Sequence, residues 1–166
     1  MDPGGDGRER VRDYPRPPAL VPCTRHVRVE ALGRVLADSH RSLRVLETFH
    51  PPTFYLPPEA VDRTLLEPAG GGSLCEWKGR ARYFDVVAER GGAGERRLRR
   101  AVWQYPHPTP AYAALAGWFA VYPARMDGCW VDGERVRPQP GGFYGGWITA
   151  DVEGPFKGDP RHPELI

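Results

Sequence analysis

Cys75-Glu76-Trp77-Lys78-Gly79-Arg80-Ala81-Arg82-Tyr83-Phe84-Asp85-Val86-Val87 alternates in a way that no helix does. Cys75, Trp77, Ala81 and Tyr83 share one parity, and Glu76, Lys78, Arg80 and Arg82 share the other, so a strand reading puts aromatics on one face and charges on the opposite one. If the strand is continuous, Lys78 faces away from the apolar side; a turn at Gly79 would release it from that face. Glu76 and Lys78 share a side and form a candidate charge or binding pair.

The neighbouring segments have the same β character. Gly91 to Gly94 reads as a hairpin tip, after which Ala101, Trp103 and Tyr105 alternate with polar positions. Upstream, Val27 to Ala31, Val35 to Ala37 and Leu43 to Leu46 read as a three-strand meander, followed by an extended Thr53 to Leu56. Pro57-Pro58-Glu59 predicts the start of a helix, with Val61 and Leu65 on one face and Pro68 as its stop. Ala69 to Ser73 reads as a glycine-rich loop. Downstream, Thr109-Pro110 starts a short helix to Leu115. Trp118 to Tyr122 is apolar throughout, as in a covered strand. Cys129 to Val136 folds back through Asp132-Gly133, whose positive φ angles suit a two-residue hairpin.

Composition agrees. Among 166 residues there are 20 Gly and 19 Pro, with 40% apolar and 11% aromatic residues, which favours short strands and turns around a real core. A formal charge of +2 provides no field for nucleic acid or an anionic membrane. The three cysteines, Cys23, Cys75 and Cys129, form no CxxC pair, so neither a disulfide scaffold nor a structural zinc site is expected. The first twenty residues carry no hydrophobic signal core, and the run from Ala111 to Tyr122 is too short to cross a bilayer. The expectation is a reduced, cytoplasmic protein without cofactor. Residues 1–24, rich in Pro, Gly and mixed charge, read as a disordered arm; residues 25–158 as one β-rich domain; residues 159–166 as a tail.

Of the 23 Lys and Arg residues only Lys78 and Lys157 are lysines, and both stand in an aromatic-Lys-Gly frame: Trp77-Lys78-Gly79 and Phe156-Lys157-Gly158. In a chain so biased to Arg, a compact ammonium kept at two matching positions suggests point-charge contacts to a carboxylate or phosphate.

Four blocks then carry a resemblance: His50-Pro51-Pro52-Thr53-Phe54-Tyr55-Leu56-Pro57-Pro58-Glu59, Cys75 to Phe84, Ala101-Val102-Trp103-Gln104-Tyr105-Pro106, and Gly145-Gly146-Trp147-Ile148-Thr149. In this order, over about residues 25 to 158, they resemble the bacterial family known as domain of unknown function 427. The resemblance implies a small, mainly β, two-sheet β-tent-like (Mss4-like) domain with one or two short helices and a groove between the sheets. Its wider group includes zinc proteins, methionine-sulfoxide reductases and aromatic-cage binders. The zinc of that group is usually held by two CxxC pairs, which this chain lacks, so no metal carries over. The family is also labelled nucleotidyltransferase-like. That chemistry needs paired carboxylates to hold magnesium, and while Gly72-Ser73 and Asp85 fit the spacing, the partner position is Val87.

The candidate residues fall into two sets. Trp77, Lys78, Trp103, Tyr144, Trp147 and Lys157 form a candidate binding set for a small, anionic or amphipathic ligand, with core packing as the plain alternative for each Trp. Cys75 is a candidate thiol nucleophile or redox centre, with His50 or Glu76 moving protons; a buried, inert thiol is the plain alternative. A protein-interaction role for the Pro-rich arm is a third reading.

Overall fold

The computed structural model describes residues 8–165. In chain order the strands are β1 (Glu9–Arg10), β2 (Ala19–Cys23), β3 (Val27–Ala31), β4 (Arg34–Ser39), β5 (Ser42–Leu46), β6 (Thr53–Tyr55), β7 (Leu66–Cys75), β8 (Gly79–Ala88), β9 (Arg96–Gln104), β10 (Phe119–Val121), β11 (Gly128–Val131), β12 (Glu134–Arg135), β13 (Arg137–Pro138), β14 (Trp147–Ile148) and β15 (Val152–Glu153). The protein is mainly β. One four-stranded sheet runs β10-β9-β8-β7, a second β12-β11-β3-β4, and β2-β5-β6 makes a three-stranded third. The first and third are tied together where Leu56, just after β6, exchanges both backbone hydrogen bonds with Phe119, at 2.8 and 2.9 Å. Between the sheets lies the main core, with Val29, Leu36, Phe54, Leu56, Val86, Val102 and Trp147 almost wholly buried.

The expected meander divides. β3 and β4 pair with each other, but β5 leaves them for β2 and β6. Alternation identified the strands correctly and could not say which edges meet, because partners across sheets are chosen by packing. The glycine-rich stretch expected as a loop is the middle of β7. It pairs with β8 through a register shift between Pro68 and Gly72, and a side chain at Gly72 would press on the Ala81 carbonyl. Pro57 to Pro68 forms two 3-10 turns, Pro58–Ala60 and Arg63–Leu65, instead of a helix. Pro110–Leu115 is likewise 3-10, too short for an α-helical ladder between its flanking strands. The Asp132-Gly133 hairpin forms as read, with φ of 47° and 80°.

The expected disordered arm needs the largest correction. Residues 1–7 lie outside the described residues, but from Glu9 the chain is built into the fold. β1 pairs in parallel with β15, and β2 is an edge of the third sheet. Val11 is fully buried and Tyr14 nearly so, packed with Leu46 and Val152. Glu9 takes a two-pronged ion pair from Arg44 at 2.9 and 3.1 Å and a hydrogen bond from the Tyr14 hydroxyl at 2.6 Å. Arg44 and Tyr14 hold the Glu9 carboxyl below its ordinary range against the opposing, and largest single, effect of burial. Polar composition concealed a few well-spaced anchors whose partners are remote in sequence.

Val11→Asp should therefore destabilise the protein by about 3 kcal/mol, because it buries an unpaired carboxylate. Urea denaturation checks this; an arm detached from the fold would leave the midpoint unchanged.

Candidate functional site

β7 and β8 form a tight hairpin, with Cys75 opposite Gly79 and Glu76-Trp77-Lys78 as the turn. The turn removes Lys78 from the charged parity. Glu76 is exposed, whereas Lys78 is buried, and among the described residues no ion pair joins them. Thr109 latches the turn: its hydroxyl donates to the Trp77 carbonyl at 2.5 Å and its N–H to the Lys78 carbonyl at 3.1 Å. Gly79 follows at φ 107°, and a Cβ there would lie 3.4 Å from the His107 carbonyl oxygen.

The second lysine repeats this arrangement. Lys157 donates its N–H to the Phe49 carbonyl at 2.7 Å and accepts from the Gln139 amide at 2.9 Å. Gly158 follows at φ 99°, and a Cβ there would overlap the Pro140 carbonyl oxygen. In both frames the aromatic residue packs against a hydrophobic cluster, the lysine projects, and the glycine takes a left-handed angle that an L side chain rarely adopts.

Both projections end at one place. A cavity of about 330 Å³ is lined by Lys78 and Lys157 together with Cys75, Glu76, Trp77, Trp103, Tyr144 and His50. Thus all the sequence candidates except Trp147 converge on it. Trp147 is fully buried, packed 4.8 Å from Phe54 between centroids, and belongs to the core; its glycine-flanked position beside Tyr144 suggested a pocket wall, but β14 turns it inward.

The walls are aromatic and closely fitted. Trp103 lies 4.6 Å from Tyr122 between ring centroids and donates its indole N–H to the buried Tyr55 hydroxyl at 3.2 Å. A Cβ at Gly145 would run into the Trp103 ring, so the loop can lie on the indole only as glycine. Burial raises the Tyr55 and Tyr105 phenols well above their ordinary value, so both remain neutral hydroxyls. The Lys78 ammonium stands 5.8 Å above the centre of the Tyr105 ring and that of Lys157 5.6 Å above Tyr144. Among the described residues neither ammonium has an ion-pair or hydrogen-bond partner, and cation–π contact is the compensation each finds there.

His50 is fixed by Gln139, a residue not singled out in the sequence. The Gln139 amide oxygen accepts from the Gly146 N–H at 3.2 Å, which orients its nitrogen toward the Lys157 carbonyl and toward His50 Nδ1, 3.1 Å away. An amide nitrogen is only a donor, so Nδ1 must accept, leaving the proton on Nε2, which faces Glu47 at 4.0 Å. Burial lowers the His50 pKa, with Lys157 and Arg16 acting in the same direction and Glu47 opposing. Nδ1 is thereby committed to Gln139, and no hydrogen bond joins His50 to Cys75 among the described residues. Cys75 is half-buried in the aromatic cluster with Tyr105, while the buried Cys129 thiol is pushed up to about 12 by desolvation. Among the described residues no cluster of His, Cys, Asp or Glu fits a metal ion. Asp85 accepts from Arg97 at 2.7 Å and from the Arg100 N–H at 2.8 Å, bonds that keep its pKa low against burial. No helix among the described residues is long and apolar enough to span a membrane.

What these features define is a small β domain with a lysine- and aromatic-lined cavity. The family model described as domain of unknown function (DUF427) matches residues 19–132, and the chain belongs to that family. No curated protein matches the chain. The matched region holds Lys78 and the Trp103 wall, whereas Gln139, Tyr144 and Lys157 lie beyond it and close the cavity from the C-terminal side.

His50 should stay neutral with its proton on Nε2 at neutral pH, readable from its two ring ¹⁵N shifts. Because its folded pKa lies below the unfolded value of about 6.5, the unfolded chain takes the proton first. Its contribution to stability is then complete above that pH and declines as pH falls toward the folded value. Gln139→Glu, which sets a carboxylate against Nδ1, should raise the His50 pKa; an unchanged titration would show that Gln139 does not control the ring.

Proposed function

We propose that this protein is a small-molecule-binding β domain whose ligand presents an anionic group to Lys78 and Lys157 and an apolar body to the surrounding rings. One observation carries this reading: the two lysines of an otherwise arginine-based chain open on the same cavity, with no carboxylate within ion-pair distance of either ammonium among the described residues, although Glu47 and Glu76 also line it. A cation held out of bulk water without a partner is costly. Such a cost is common where a ligand supplies the missing charge, because the strained apo site is the one that gains most on binding. Lysine suits this role here: its three donors rotate about a flexible stem and follow a carboxylate or phosphate without the planar register a guanidinium requires.

The rings supply the remainder. Trp77, Trp103 and Tyr144 provide flat apolar surface, and the neutral hydroxyls of Tyr55 and Tyr105 can each donate or accept. A volume of about 330 Å³ lies at the lower end of ordinary small-molecule sites, which favours a metabolite-sized ligand over a peptide.

This reading makes opposite predictions for stability and binding. Lys78→Met should stabilise the unliganded protein by about 1 kcal/mol, since it removes a buried ammonium without leaving a charge behind. The same change, and Lys157→Met, should abolish the thermal stabilisation that an anion and metabolite panel gives the wild type. Wild-type shifts across that panel that survive both substitutions would overturn the two-lysine site.

A further inference from the structure

A second cavity, of about 290 Å³, adjoins the first, and Tyr83, Tyr122, Gln139, Phe143 and Tyr144 line both. The division between them is therefore made of side chains. Tyr83 belongs to β8 and Tyr122 directly follows β10, beneath, and Phe143 and Tyr144 belong to the glycine-bounded loop above. Phe143 is 83% exposed, and its ring stands edge-on to that of Tyr144, 6.5 Å away between centroids.

Arg100 and Arg125 line this second cavity and not the first. Arg125 donates to the Arg99 carbonyl at 3.0 Å, Arg100 donates to the Gly70 carbonyl, and among the described residues neither pairs with a carboxylate. Arg100 is also built into place. Its φ is 48°, an angle that costs a residue with a side chain about 1 kcal/mol or more. It sits where β8 and β9 lose register between Phe84 and Val86. The buried Asp85 carboxylate accepts the Arg100 N–H at 2.8 Å and holds the irregularity in place. The consequence is that the guanidinium lies 4.1 Å over the Tyr83 ring, on the wall the two cavities share. Bulges that re-aim a side chain in this way concentrate beside functional sites.

Resting on the binding function proposed above, we infer that the site continues beneath Phe143 into an arginine-lined subsite, and that its ligand is a two-ended anion with a flat apolar middle. One anionic group meets Lys78 and Lys157, the planar body lies between Tyr83 and Tyr122 below and Phe143 and Tyr144 above, and the second anionic group meets Arg100 and Arg125. The rotating ammoniums and the planar guanidiniums divide the two ends chemically: the arginine end favours a carboxylate or phosphate presented edge-on.

Isothermal titration of the full chain with matched probes tests this: 2-naphthoate against 2,6-naphthalenedicarboxylate, and phenyl phosphate against 4-carboxyphenyl phosphate. Each doubly charged probe should bind about tenfold more tightly than its partner, the effect of one added charged hydrogen-bonded contact. In Arg100→Gln/Arg125→Gln that advantage should vanish while the singly headed probes bind as before. Arg125→Gln alone, at a position with no backbone strain, should remove part of it even if the double variant folds poorly. Singly headed probes that bind through the lysines, with no gain from the second group, would overturn the subsite and leave the proposed function intact. Failure of all four probes to bind would overturn both.

Discussion

Two glycines at left-handed φ, Gly79 and Gly158, are the constraint on which the arrangement of the cavity depends. Each reverses the chain immediately after a lysine at an angle an L side chain rarely adopts, and at Gly158 a Cβ would also overlap the Pro140 carbonyl. Because glycine can reverse so sharply, the residue before it leaves the strand or loop face it would otherwise occupy. Lys78 is the clearest example: alternation assigns it to the charged face, and the turn carries it to the buried one. The aromatic residue before each lysine supplies the opposing anchor, so a three-residue unit turns a lysine toward the cavity twice, once from the β7–β8 turn and once from the loop after β15.

The rest of the fold keeps those two units facing each other. Leu56 and Phe119 join the third sheet to the first, which fixes the segment carrying Glu47 and His50 beside the wall of Trp103 and Tyr122. Gln139 completes the closure with a single amide that touches the Gly146 N–H, the Lys157 carbonyl and His50 Nδ1. Its three contacts lie in three different parts of the sequence, and together they orient the imidazole, the second lysine and the loop that bears Tyr144. The N-terminal segment reinforces the far side through Glu9 and Arg44, so the part of the chain with the least sequence pattern is packed against the fold like any other.

The candidate site was more legible in the sequence than the topology. Scarcity pointed to Lys78 and Lys157, and clustering of large rings pointed to Trp77, Trp103 and Tyr144; both signals are compositional and survive without knowledge of which strands pair. They failed for Trp147, because a tryptophan beside a glycine pair has the same sequence signature whether β14 faces the cavity or the core. Gln139 and Glu47 carried no signal at all. A lone amide between prolines and a lone carboxylate after a strand acquire meaning only from the partners that folding brings to them, as do Arg100 and Arg125, which are two arginines among many until a bulge and a shared wall set them apart.

The sequence by itself determined the β character, through alternation and the density of Gly and Pro, and determined the two positions where an ammonium would follow an aromatic anchor and precede a glycine. These are local properties, set by pleat geometry and by the φ range of a residue without Cβ. The tertiary structure alone decided that the two lysines line one cavity, that the His50 Nε2 faces Glu47, and that the chain's first described residues belong to the domain. Each of those depends on contacts between segments far apart in the chain, where long-range packing and hydrogen-bond complementarity select one arrangement among the many that local preference allows.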